Sequence, residues 1–99
     1  GRFDRIIEIP IPDDSGRKAI IELHLSKMST RRIQINQIVE KTVGFSGAEL
    51  KATCVEAGMI AIREKRASIT QKDFMEAIKR INVKKSRAGL EGNPDALYN

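Results

Sequence analysis

Gly44-Phe45-Ser46-Gly47-Ala48-Glu49-Leu50 is the stretch that decides how this chain folds. Ser46 and Glu49 stand in the S-x-x-E spacing of a capping box. The serine hydroxyl accepts from the N–H of Glu49, and the glutamate reaches back to the N–H of Ser46. Gly44 and Gly47 flank this start and let the backbone turn tightly or let another group approach. From Ala48 to Arg66 no proline intervenes and strong helix formers dominate, so a long helix is predicted there. At about 100° per residue, Leu50, Cys54, Ala57, Gly58, Ala61 and Ile62 fall on one side. Ala52, Val55 and Met59 widen that side, which predicts a central helix touched by neighbours on several sides. Gly58, costly in a helix interior, is expected to mark a close helix crossing.

Upstream, Ile6 to Ile11 is β-branched and apolar, then stopped by prolines: the pattern of a buried strand. No second convincing strand follows, so its partners are expected outside this sequence. The chain opens Gly-Arg without a methionine and is expected to be a piece of something larger. Asp13, Asp14 or Ser15 caps a helix predicted over 15–27, with Ala19, Ile20, Leu23 and His24 sharing a face. Residues 28–35 read as a connector. Asn36 then caps a short helix with Ile38, Val39 and Val43 inward.

Downstream of the central helix, Ser68-Ile69 reads as an extended link. Thr70-Gln71-Lys72-Asp73 resembles a second capping box, with Asp in the glutamate's place. Phe74, Ala77, Ile78 and Ile81 follow helical spacing. Four helices with short connections predict a small all-α bundle over residues 15–84. From Lys84 the pattern fails. Gly89, Gly92 and Pro94 punctuate a polar stretch, so 85–99 is expected to be a flexible tail with an apolar–aromatic tip, Ala96-Leu97-Tyr98-Asn99.

A chain of 99 residues supports one domain with a modest core, and without tryptophan that core must be aliphatic. The single cysteine, Cys54, falls on the apolar side of the central helix and reads as a packed thiol. One histidine and one cysteine do not make a metal site, and no internal disulfide is possible, which fits a reducing compartment. No signal peptide or long apolar run is present, so no membrane partner is expected. The net charge of +5 is spread along the chain, which favours a solvated basic surface over a nucleic-acid patch. No G-x-x-x-x-G-K-[ST] loop and no nucleophile–base arrangement occurs. Periodicity and composition alone leave the function unnamed.

Particular motifs go further. Gly1-Arg2-Phe3-Asp4-Arg5, with the following Ile-Pro-Ile-Pro-Asp, resembles the end of the second region of homology in AAA ATPases. Gly44 to Leu50 resembles that family's lid motif, G-x-[ST]-G-A-[DE]-[LI]. Glu56-Ala57-Gly58-Met59-Ile60-Ala61-Ile62-Arg63-Glu64, and Ile69-Thr70 through Asp73-Phe74 with Ala77, are similar to the proteasomal branch. That branch holds the archaeal proteasome-activating nucleotidases and the regulatory ATPases of the eukaryotic 26S particle. Leu97-Tyr98-Asn99 resembles the hydrophobic–Tyr–any tail by which such ATPases engage the 20S proteasome.

The resemblance implies a four-helix lid domain, preceded in 1–14 by the end of the large AAA domain. Arg2 matches an arginine finger acting in trans on the neighbouring subunit's γ-phosphate. Ile20 and His24 match positions that meet the adenine and ribose. Gly47 and Ala48 match the lid-helix start against the nucleotide, Ala48 standing where other branches place an arginine. Leu97, Tyr98 and Asn99 match the proteasome-docking element. The implied full-length protein is a cytoplasmic hexamer that hydrolyses ATP with Mg2+, unfolds proteins through an upstream domain and opens the 20S α-ring. The hexamer is homomeric, or heteromeric if the source is eukaryotic. The 99-residue chain, lacking Walker A and B segments, is expected to need no cofactor and to be inactive by itself. One alternative is the lid of a non-proteasomal AAA remodeller, which the Tyr98 terminus disfavours. A further one is a basic histone-like DNA-binding helical module, disfavoured by the unpaired strand and the capping-box motif.

Overall fold

A computed structural model describes residues 10–91. Four helices follow one another: α1 (Asp14–Leu25), α2 (Ile35–Lys41), α3 (Gly47–Arg63) and α4 (Gln71–Glu91). The all-α class is as predicted, with one addition. Two short strands, β1 (Thr30–Arg31) and β2 (Ile69–Thr70), pair in parallel, Thr30 opposite Ile69 and Arg31 opposite Thr70. In the sequence the first segment reads as a connector and the second as a short extended link, and no pairing between them shows, because two residues carry no periodicity. Their pairing exists only once α3 has brought the two loops together. The strand expected over Ile6–Ile11 lies largely outside the described residues; Pro10 and Ile11 are in no regular element.

The capping box at the start of α3 forms as expected. Glu49 N–H donates to Ser46 Oγ at 3.2 Å, and Ser46 N–H donates to Glu49 Oε1 at 2.8 Å. The helix stops at Arg63 rather than Arg66, because Lys65 takes a left-handed φ of 58° and Arg66 N–H turns back to the Ala61 carbonyl at 2.9 Å. α3 packs on both α1 and α4 and is the central helix. Its buried face is Leu50, Thr53, Cys54, Ala57, Ile60 and Ala61. The wide stripe is corrected here: Val55, Met59 and Ile62 are 55%, 48% and 69% exposed, and Ala52 is exposed too. Two neighbouring helices cover two sides of α3, and among the described residues nothing covers the third. Gly58 marks no close helix crossing. A Cβ there would meet only the tips of Ile69 and Met28, at 3.7 and 3.8 Å, which is ordinary contact. Cys54 is 3% exposed, and burial pushes its thiol up to about 11, so it stays a protonated packing group.

α1 is capped by Asp13, whose Oδ1 accepts from Gly16 N–H at 2.8 Å. Its predicted face is also corrected. Ala19 and Leu23 are exposed, and the buried residues are Arg17 and Ile21. A charged side chain goes inside when the interior takes its donors. Arg17 donates from Nε and Nη2 to the Val39 carbonyl at 3.2 and 3.0 Å, and from Nη1 to the Pro12 carbonyl at 3.3 Å. Its Nη2 also reaches Asp14 at 2.6 Å. With Arg17 inward, the helix turns its Ala19–Leu23 side out.

Asn36 does not cap α2. The helix begins at Ile35, and the preceding Gln34 N–H is taken from across the fold by Gln71 Oε1 at 2.9 Å. Ile38 and Val39 are buried as expected, while Val43 is 70% exposed. On α4, Phe74, Ala77, Ile78 and Ile81 all enter the core, as their spacing predicts. The helix then continues to Glu91, past the expected tail boundary at residue 84. Lys85 supplies the reason. Its ammonium lies 4.5 Å from the centre of the Phe45 ring, 3.2 Å from the Gly44 carbonyl and 3.3 Å from Glu49. That turn at the head of α3 holds the far half of α4 in place, a contact between distant segments that local pattern does not reveal.

Three carboxylates make the fold sensitive to acid. Two hydrogen bonds from Arg66, at 2.6 Å each, outweigh burial and hold Asp73 below the usual aspartate range; Thr70 N–H adds a third at 2.9 Å. A 2.7 Å bond from Arg80 lowers Glu56 in the same way. Burial raises Glu49, but Ser46 and Lys85 together outweigh it and leave it lowered. A carboxyl whose folded pKa is depressed stabilises the fold above its unfolded pKa, and that stability is lost as pH falls through the folded value. The melting temperature is therefore expected to hold from neutral pH to about 5 and to fall steeply below about 4. Asp73→Asn should flatten that acid limb in a pH series of thermal melts. An unchanged limb would mean that Asp73 is not the controlling group.

Candidate functional site

The first turn of α3 lies against α1. Gly47 sits where an added Cβ would stand 3.9 Å from Ile20 Cδ1. The incoming chain lies alongside: at Gly16 a Cβ would press to 2.9 Å from Pro12, so only glycine lets Pro12 lie so near the head of α1. Arg17 holds the same segment through the Pro12 carbonyl. These contacts shape a cleft of about 400 Å3 lined by Pro10, Ile11, Pro12, Ile20, Gly47 and Ala48. Its walls are apolar and carry no ionisable side chain.

Helix geometry adds a polar feature. The first N–H groups of a helix have no intrahelical acceptor. In α3 the capping box takes the N–H groups of Ser46 and Glu49, and Leu50 N–H returns to the Ser46 carbonyl at 2.9 Å. The N–H groups of Gly47 and Ala48 have no partner among the described residues, and both residues line the cleft. An apolar slot with free amides at a helix start suits a flat apolar ring joined to a negatively charged group.

Three residues singled out from sequence, Ile20, Gly47 and Ala48, meet in this cleft. His24 does not line it. It stands one turn beyond Ile20 on α1, half-buried. Arg2, Leu97, Tyr98 and Asn99 lie outside the described residues. Sequence reasoning missed the opposite wall. Pro10-Ile11-Pro12 reads as the end of a strand, and the pair of prolines, which excludes a regular ladder, is the available sign of a separate role.

Residues 32–76, spanning α2, α3 and the start of α4, match the AAA+ lid domain. They form an AAA+ lid domain. The lid sequence extends the likeness on both sides. It is 51% identical over 81 residues to the proteasome-activating nucleotidase of Pyrococcus furiosus, covering 82% of this chain and 20% of that protein. Against the proteasome-activating nucleotidase of Thermococcus kodakarensis it is 48% identical over 81 residues, with the same coverage of each. With that of Methanococcus maripaludis strain C7 the identity is 45% over 91 residues, 92% of this chain and 22% of the relative. The lid chain thus spans about a fifth of the length of the curated relatives it matches. Among the described residues no helix is long and apolar enough to cross a membrane.

Proposed function

We propose that this chain is the C-terminal lid of a hexameric AAA ATPase that unfolds proteins and passes them to the 20S proteasome. The observation that carries the reading is the cleft in which Ile20, Gly47 and Ala48 meet the Pro10–Pro12 segment. In the full-length protein a large domain holds the phosphates of ATP and its Mg2+, and the lid closes this cleft over the base and sugar. His24, one turn from Ile20, meets the ribose edge. Arg2 reaches the γ-phosphate bound by the neighbouring subunit, where a finger of this kind contributes about 10³–10⁵ in rate in other nucleotide hydrolases. Closure of one lid is thereby felt by the next subunit. Substrate enters through upstream domains, and the whole works in the cytoplasm. Without a phosphate-binding loop of its own, the 99-residue chain does not hydrolyse ATP alone.

Ala48→Glu tests the cleft. Ala48 is exposed in the first turn of α3, where a carboxylate is favourable by about 0.3–1 kcal/mol. The lid should therefore keep or raise its melting temperature. The same charge would oppose a nucleotide in the cleft, so the KM for ATP of the full-length hexamer is expected to rise about tenfold, the scale of 1.4 kcal/mol. An unchanged KM in a well-folded variant would remove the nucleotide from this cleft.

The docking half of the proposal rests on Leu97, Tyr98 and the carboxylate of Asn99. A ring, an apolar side chain and a terminal charge bind weakly one by one, and six tails on a ring gain avidity. Tyr98→Ala, or one residue added after Asn99, is expected to lower the hexamer's stimulation of peptide hydrolysis by 20S particles while leaving its ATPase rate in place. Full stimulation by both variants would leave the tail without this role.

A further inference from the structure

We propose that the surface around β1, β2 and the head of α4 is a docking site for an acidic, extended polypeptide segment, separate from the nucleotide cleft. Two adjoining clefts lie there. One, of about 360 Å3, is lined by Arg31, Arg32, Gln71 and Lys72; the other, of about 180 Å3, by Arg66 and Ser68; Arg31 and Thr70 line both. Among the described residues no carboxylate lines either cleft. The carboxylates close by, Asp73 and Glu64, are both engaged by Arg66, and Asp73 is buried beneath it. Arg31, Arg32 and Lys72 are exposed and make no ion pair among the described residues.

This charge is placed against the local field. Lys72 is the second residue of α4, at the positive end of the helix dipole, where acidic residues are favoured and cations are not. Arg31 and Arg32 come to the same end through the β1–β2 pairing, which sets Arg31 opposite Thr70. Stability alone gains nothing from gathering three cations there. An anionic partner turns their repulsion into attraction. The shape selects the kind of partner. Two clefts in a row across a strand pair make a track rather than an enclosed socket, which suits an extended chain better than a lone phosphate. Guanidinium forks on that track match carboxylates two bonds at a time. Arg80, farther along α4, is by contrast already paired with Glu56 and Glu76. A nucleic-acid module needs a broader basic face. The nucleotide cleft lies at the opposite end of α3, whose 17 residues set the two about 25 Å apart, so the surfaces engage independently.

The test is a fluorescence-anisotropy titration of the 99-residue chain with a labelled peptide of alternating glutamate and glycine, with amide shifts read by NMR. Shifts are expected at Arg31, Arg32, Thr70, Gln71 and Lys72, and binding should weaken with salt. The R31Q/R32N variant should bind on the order of fivefold more weakly, and K72Q should add to the loss. Asparagine is chosen because residue 32 has a left-handed φ of 54°, which Asn tolerates. Circular dichroism should show both variants folded, since all three side chains are exposed. K79Q/K84Q, farther along α4, should bind as well as the parent. Several outcomes would each overturn the proposal: full binding by R31Q/R32N, an equal loss in K79Q/K84Q, equal binding of the glutamine–glycine peptide, or tighter binding of duplex DNA or inorganic phosphate at the same amides and salt.

Discussion

Phe74→Ala is expected to lower the melting temperature of the lid by about 15–30 °C, the equivalent of about 3–5 kcal/mol in a domain this small. Phe74 is fully buried at the first turn of α4, where that helix meets the core around α3. Truncation to alanine removes the ring's burial and leaves a void that rigid neighbours close only in part. The site cannot be filled from the solvent side, because the Arg66–Asp73 clamp fixes the backbone one residue away. Total stability for such a domain is of the order of 5–15 kcal/mol, so the loss takes a large share and moves the transition toward physiological temperature. Phe74→Leu, which keeps most of the volume, should cost under about 1.5 kcal/mol. Thermal melts by far-ultraviolet circular dichroism separate the two. A drop under about 5 °C for the alanine variant would show that α4 does not depend on this contact.

Arg17→Met is the second large effect, and it joins the fold to the site. Methionine fills a similar volume but donates nothing. The Val39 carbonyl keeps other donors, Thr42 N–H at 3.3 Å and Thr42 Oγ1 at 3.1 Å, so it is not stranded. The Pro12 carbonyl loses the Arg17 donor, and the crosslink from α1 to the end of α2 is gone. The expected cost is about 2–3 kcal/mol, or roughly 10–20 °C in melting temperature. The amide signals of Ile11, Gly47 and Ala48 should broaden or shift, because Arg17 holds one wall of the cleft. Arg17→Lys keeps the charge without the planar fork and should fall between the two. A methionine variant as stable as the parent would show that packing, not hydrogen bonding, sets the position of Arg17.

What sequence by itself determined is what depends on neighbours along the chain. Ser46 and Glu49 cap α3 within a single turn, and Asp13 caps α1 in the same local way. Phe74, Ala77, Ile78 and Ile81 share a face whatever surrounds them, so the buried side of α4 was readable. The lid motif at Gly44–Leu50 was readable too, and with it one side of the candidate site, because that motif is a contiguous string.

Tertiary structure decided the rest. Arg17 is buried only because two carbonyls, on α2 and at Pro12, come within reach of its guanidinium. That choice rotates α1 and turns Leu23 outward, which the apolar pattern of the helix alone argued against. β1 and β2 are too short to signal themselves and exist through each other. The outer stripe of α3 reads apolar like its inner one, and only the number of helices packed on it tells them apart. The far wall of the cleft and the basic end of the bundle arise likewise: residues with no signal in the linear pattern acquire a common electrostatic and steric environment once distant segments meet. Hydrogen-bond satisfaction and exclusion of water are properties of that assembled environment, and a linear pattern records them only where the partners are also neighbours in the chain.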